Sequence, residues 1–460
     1  MKRNISRIIL SLPIVLLIIS TLVIAGITAY GEIIIDDAML VTESEDDYTY
    51  NELKYTIEDG GIKITSCDKE STEVVVPDKI DGKTVVKIGD AAFYNCSKLT
   101  KVQLPGTIEE IGQQAFEGCS ALAEISIPQK VKIIGGAAFY GCSELKKIEI
   151  PEGVDRIHKE TFYRCASLQV VELPESLTYI GQNAFTLCNG LKEVKIKKNV
   201  KTIVPMAFSQ CEKLEKFFID KENEDYASID GNIFTKDGSE IVAYASGNLR
   251  TEYTMPDTVK KVGDYAFLNC VKLEKIVFSN SLEEICNGAF LGCFGLKEIK
   301  LPNSLDTIGE GAFSDCINLT KIEIPKSVTT VSSYAFYGCL QLKKIKIPSS
   351  VTAIGEYAFG YNYNESAELN EVISGVIVDA PIGSAGYNYA VDNKLQLAKD
   401  VNSNKGVRII AIITVLVIIA IVAVIIYFKK RSEKELLGDM VESSIIDDED
   451  DDDFDFDDYL

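Results

Sequence analysis

The chain has 460 residues, 46% of them hydrophobic, enough to bury a large core, and its internal repeats make it one long domain rather than three compact ones. Its 47 Lys and Arg against 69 Asp and Glu leave a net charge of −22, a sign that argues against nucleic acid as a partner. One His and no Trp leave almost no material for imidazole metal sites or acid–base dyads, so no catalytic residue, metal or cofactor is expected and the chain does not read as an enzyme.

Residues 1–31 carry Lys2, Arg3 and Arg7 ahead of an apolar run, the pattern of a secretory signal, with Ala29-Tyr30-Gly31 as a small-x-small cleavage site. The run is longer than a usual signal core, which leaves an uncleaved anchor as the other reading; both send the next segment across the membrane. Residues 32–49 form an acidic spacer. Residues 50–89 alternate apolar and polar positions, broken by Asp59-Gly60-Gly61 and Asp81-Gly82, which predicts hairpin turns.

From there the chain repeats itself. Phe93, Phe116, Phe139, Phe162, Phe185 and Phe208 stand 23 residues apart, and so do Phe267, Phe290, Phe313, Phe336 and Phe359. A fixed period of this length marks a solenoid, in which no unit buries its apolar face alone and stacking supplies the core. In the unit at residues 128–150, Leu145, Ile148 and Ile150 carry the spacing L-x-x-L-x-L and read as a strand. Pro151 ends the ladder, Val154 and Ile157 bring a second short extended segment inward, and Ala138 with Phe139 is expected to form one short helical turn. Ten of the 12 cysteines follow the anchor Phe by three residues, a column that reads as small buried thiols filling one core slot; Cys67 and Cys286 stand outside it. The lone His158 has no ligand-spaced neighbour.

The repeats occupy residues 90–220 and 256–370. Between them, residues 221–255 break the period, and Asp237-Gly238 between two alternating runs predicts an inserted β-hairpin. The insert reads either as a kink that divides the stack or as a projecting hairpin where a ligand contact sits.

The motif IGxxAFxxCxxLxxIxIP, as at residues 134–151, resembles the BspA-like, or Treponema-type, leucine-rich repeats, and the resemblance covers residues 50–397. There is no Asn ladder: Gly153 and Asp155 stand where the common leucine-rich repeat has Asn or Cys and Leu. The resemblance implies a surface-exposed binding protein with no catalytic residue to carry over, and it assigns residues 50–89 and 371–400 to N- and C-terminal caps. The fold class expected is therefore a β-rich leucine-rich-repeat solenoid with two caps, one inserted β-hairpin and a C-terminal transmembrane helix.

That helix is expected over residues 407–428, of which 409–428 hold no charge, and Lys429, Lys430 and Arg431 place the carboxyl end in the cytoplasm. Residues 429–460 form an acidic tail with Phe454, Phe456 and Tyr459, open to docking by a basic cytoplasmic partner. The localisation expected is the plasma membrane, single-pass with extracellular repeats, or two-pass if the N-terminal segment stays uncleaved. The function expected is cell-surface binding of a macromolecule, adhesion to or recognition of host, matrix or neighbouring-cell surfaces; the alternative is a transmembrane receptor signalling through the tail. The ligand face sought is the row of outward strand residues, and Lys275, Lys297, Lys300, Lys321, Lys344 and Lys346 crowd its last repeats as a basic strip suited to an anionic extracellular protein or glycan.

Overall fold

A computed structural model describes residues 48–398 and 413–431. The expected leader, nearly all of the acidic spacer and nearly all of the acidic tail lie outside the described residues.

Each coil is built by alternation. In Lys147–Glu149 the side chain of Ile148 is buried between two exposed neighbours, as a strand with one solvated face requires. The strand pairs in parallel with Val170–Glu172, residue 147 opposite 170, so the partner sits one period along the chain. Past Pro151 the chain turns inward at Val154 and makes a second, two-residue strand, Arg156–Ile157, which pairs in parallel with Tyr179–Ile180, itself paired with Thr202–Ile203. The 23-residue period thus becomes two rows of parallel strands, one strand of each row per coil, with the ladders broken into short sheets along the stack.

The anchor segment is not the helical turn expected from the sequence. It is a turn in which Ala137 (φ 54°) and Gly141 (φ 70°) are left-handed, as are the matching Glu160, Arg164, Asn183 and Leu187 of the next two coils. Alternating handedness splits the backbone donors into two sets. The amides of Ala137, Phe139 and Gly141 reach the carbonyls of Lys159, Thr161 and Tyr163 in the next coil at 3.0, 2.9 and 2.8 Å, while Ala138, Tyr140 and Cys142 bond within their own coil. A helix would aim every amide along its own axis and leave the next coil nothing to hold.

Inside the coil the anchor rings stack. Phe93 to Phe208 form one run with centroids 4.8 to 5.4 Å apart, and Phe267 to Phe359 another at 4.7 to 5.2 Å. All 12 cysteines are buried and free. In the column each thiol from Cys119 to Cys211, and from Cys293 to Cys339, donates to the carbonyl of the anchor Phe in the preceding coil, for example Cys142 to Phe116 at 3.2 Å.

The insert is a partition and not a projection. Tyr226–Ile229, Asn232–Thr235 and Glu240–Ala243 form an antiparallel meander whose last strand pairs in parallel with Lys261–Val262 and so restarts the second row. The hairpin predicted at Asp237-Gly238 is there, joining the last two of these strands. Both faces of the middle strand are buried: Ile233 belongs to a core that begins at Leu53, Phe234 to one that ends at Leu395. Phe208, the last ring of the first stack, meets Phe217 edge-on, and the second stack starts at Tyr244, 4.7 Å from Phe267.

Hairpins close the N-terminal end: Leu53–Glu58 and Gly61–Cys67 pair antiparallel, and Gly61–Cys67 passes the sheet on in parallel to Lys83–Ile88. At the other end Tyr361–Asn364 pairs antiparallel with Leu369–Val372, and a short helix, Ala385–Asp392, packs over the last coil. From this helix the Tyr389 hydroxyl accepts from the Phe359 amide and donates to its carbonyl, satisfying the backbone where no further coil follows. A separate unit contributes an apolar helix, Ile413–Arg431, with mean hydropathy 2.5 over its most apolar window. Its 19 residues span about 28 Å, close to the thickness of a bilayer's hydrocarbon core.

Candidate ligand-binding face

The broad surface of the coil stack is the outward face of the longer strands. Every second strand residue points out, and because the register advances by one period per coil, equivalent residues form straight columns. One column runs Glu252, Lys275, Glu298, Lys321, Lys344, with pairing fixed by the ladders on either side. The next runs Thr254, Val277, then Lys300, and Glu323 with Lys346 and Asp379.

All six lysines of the expected strip are exposed, five of them in the outward columns and Lys297 beside them, one residue before Glu298. Four of them are neutralised by a glutamate one coil earlier: Lys275 by Glu252 at 3.2 Å, Lys297 by Glu274 at 2.6 Å, Lys321 by Glu298 at 3.5 Å, and Lys346 by Glu323. The Lys346 hydrogen bond holds the Glu323 carboxyl below the usual carboxylate range. Lys300 and Lys344 make no ion pair among the described residues. The strip therefore alternates in charge as far as Lys321, where Lys344 stands opposite as a second cation, and its exposed pairs add little to stability. The partners were legible as glutamates one period before each lysine, but a list of lysines by position does not show them.

Apolar residues break the same face. Val75, Val170, Phe218 and Val277 are 40 to 61% exposed at outward strand positions, and the Lys216 ammonium lies 4.8 Å from the Phe218 ring centroid. Large solvated side chains on a rigid backbone favour contact with a macromolecule, since little ordering remains to be done on binding.

The partition makes a second, smaller feature. A crevice of about 20 Å³ opens between the turn of Met206, Phe208 and Ser209 and that of Tyr244, Ser246 and Tyr265. That is room for about one water and far below a small-molecule pocket. The Tyr244 hydroxyl is buried beside this break without a hydrogen-bond partner among the described residues. Tyr244 stands one period before Phe267, and its place in the ring column was missed because the anchor is Tyr instead of Phe. His158 is half-buried, and burial, then the Arg156 charge, push its imidazole below the usual range. Among the described residues no cluster of His, Cys, Asp or Glu fits a metal ion.

A stacked β-solenoid of 23-residue coils with a rigid outward strand face is the architecture of a leucine-rich-repeat protein. This chain belongs to the BspA-type leucine-rich-repeat family, whose model matches six copies over residues 86–215 and 239–365. It is similar to a leucine-rich cell surface protein of Faecalibacterium prausnitzii, at 30% identity over 75% of this chain and 97% of that one, with a TM-score of 0.62. The fold is shared with the pneumococcal vaccine antigen PcpA, at 21% identity over 76% and 98% of the two chains, TM-score 0.59. No curated protein matches the sequence.

Proposed function

We propose that this is a membrane-anchored surface protein whose outward strand face binds an extracellular protein or glycan, with the apolar helix at Ile413–Arg431 as its anchor and the repeats outside the cell. The reading rests on one observation above others: the outward strand residues stand in straight columns on a backbone held coil to coil, with exposed apolar side chains set among ion pairs. Adhesion or recognition follows from that surface, and catalysis has no comparable support. Within the face, Lys300 and Lys344 are the strip residues best placed to meet an anionic group, because the other four already have carboxylates.

The test is binding of cells displaying the full-length chain to arrayed matrix proteins and sulfated or sialylated glycans, with strand-face variants alongside. Capture that disappears with those variants supports the reading. Capture indifferent to every outward substitution refutes it.

A further inference from the structure

The amide of the anchor Phe finds an acceptor in every coil but one. From Phe93 to Phe185, and again from Phe267 to Phe336, each donates to the carbonyl of the residue before the next anchor, at 2.7 to 2.9 Å. Phe359, which closes the stack, has the Tyr389 hydroxyl at 3.1 Å. Phe208 has no acceptor among the described residues, and neither do Met206 and Gln210, whose amides stand two positions to either side of it in the same turn. Phe208 is 4% exposed, and a backbone amide in so buried a residue is rarely left without a partner.

The cause is the partition. Ala243, the residue before the anchor Tyr244, is paired with Ile233 in the inserted meander instead of receiving the Phe208 amide. By the pattern of the other coils the three amides point along the stack, into the crevice of about 20 Å³ that Met206 and Phe208 line on one side and Ala243 and Tyr244 on the other. The strand ladders stop here too: Thr202–Ile203 and Lys216–Ile219 are last in their sheets, and Tyr226–Ile229 and Glu252–Thr254 are first in the next. Bonds remain on both flanks of the turn. On one, the Phe217 and Gly247 amides donate to the Gly231 and Leu214 carbonyls, both at 2.8 Å; on the other, the Ile203 amide donates to the Tyr226 hydroxyl at 3.0 Å. The Ser246 hydroxyl also reaches the Cys211 carbonyl at 3.1 Å.

We propose that the partition is a hydrated hinge: water in the crevice takes the amides that a next coil takes elsewhere, and the anchor-turn side of the junction opens and closes while the flanking bonds hold. A water oxygen accepts from the Phe208 amide and exchanges with solvent, so spreading these two turns breaks none of the amide bonds that bind other coils. At the junction after Phe139 the same movement would break three, those of Ala137, Phe139 and Gly141. The stack therefore bends first at the partition. The bend changes the angle between outward strand residues before it, such as Phe218, and those after it, such as Val277, and a ligand that spans both sets that angle.

The experiment takes the full-length protein in detergent and has two arms. Hydrogen exchange should be about tenfold faster in residues 204–211 than in the matching residues 135–142 of a regular coil. Spin labels on Lys201→Cys with Asp306→Cys, one on each side of the partition, should give a distance distribution about twice as broad as labels on Lys132→Cys with Lys201→Cys, which lie within the first half. All three positions are exposed and the native cysteines are buried, so the parent protein treated alike serves as the blank. Exchange in residues 204–211 as slow as in residues 135–142, or equal widths for the two label pairs, overturns the proposal.

Discussion

The Cys142 thiol donates to the Phe116 carbonyl at 3.2 Å, 26 residues back and one coil away. That carbonyl already accepts from the Cys119 amide at 3.2 Å, so the thiol fills its second lone pair. The contact explains the residue type: sulfur is apolar enough for a slot beside a stacked Phe, long enough to reach the coil behind, and still a donor.

Cys142→Ser should lower stability by about 1–2 kcal/mol, since the shorter hydroxyl stretches the bond and leaves a more polar group in the core. Urea denaturation of the variant beside the parent checks this. An unchanged or raised midpoint would mean that the column is filler and the bond incidental.

Phe139→Ala should cost about 3–5 kcal/mol, by emptying a slot whose ring stacks at 5.3 Å on Phe116 and 5.4 Å on Phe162. Each repeat interacts mainly with its neighbours, so the loss should appear as local opening around the coil before global unfolding. Hydrogen exchange localised to residues 116–162 is the readout, and uniform exchange along the solenoid would contradict it.

Gly141→Ala isolates the cost of handedness. The residue has φ 70°, and an added Cβ would meet nothing closer than 3.9 Å, so only the backbone conformation opposes it. A loss of about 1–2 kcal/mol is expected. A neutral result by thermal melting would show that the left-handed turn relaxes.

Asp315 occupies the left-handed position held by Asn95 and Asn269 in other coils, and burial pushes its carboxyl up to about 6. In the unfolded chain it titrates near 3.8, so between these values the folded state binds more protons, and stability falls as pH rises from about 4 through 6. Asp315→Asn should raise stability at pH 7 by about 1–2 kcal/mol, a figure held down because the side chain is only partly buried, with no advantage below pH 4. Melting curves across pH decide it, and a gain that persists at pH 3 would rule out the titration as the cause.

Lys300→Glu with Lys344→Glu should slow association with an anionic ligand and flatten its dependence on salt, while stability stays within about 0.5 kcal/mol. Lys321→Glu is a different test, since it also faces Glu298 with a like charge. Unaltered capture in the double variant would discard the strip as a contact.

Much of the solenoid was legible in the chain. The anchor Phe and the Leu–Ile–Ile spacing recur at 23 residues, and a period that long has few physical solutions other than stacking. The Asp-Gly pairs marked their turns because few residues accept a left-handed backbone; Asp81 has φ 50° and Gly82 φ 78°. Less legible was the anchor turn, where Ala137-Ala138-Phe139 has helical propensity but the next coil's carbonyls demand alternating amides. Local preference lost to a long-range ladder, which propensity does not record.

What the sequence by itself determined was the repeat, its inward residues and the apolar span, because burial depends on residue type and spacing. Only the tertiary structure decided which residues of different coils meet. It put Ile233 and Phe234 into different cores, and it aimed the Ala137, Phe139 and Gly141 amides of one coil at the Lys159, Thr161 and Tyr163 carbonyls of the next. Such pairings depend on register, which is fixed only when the whole stack closes.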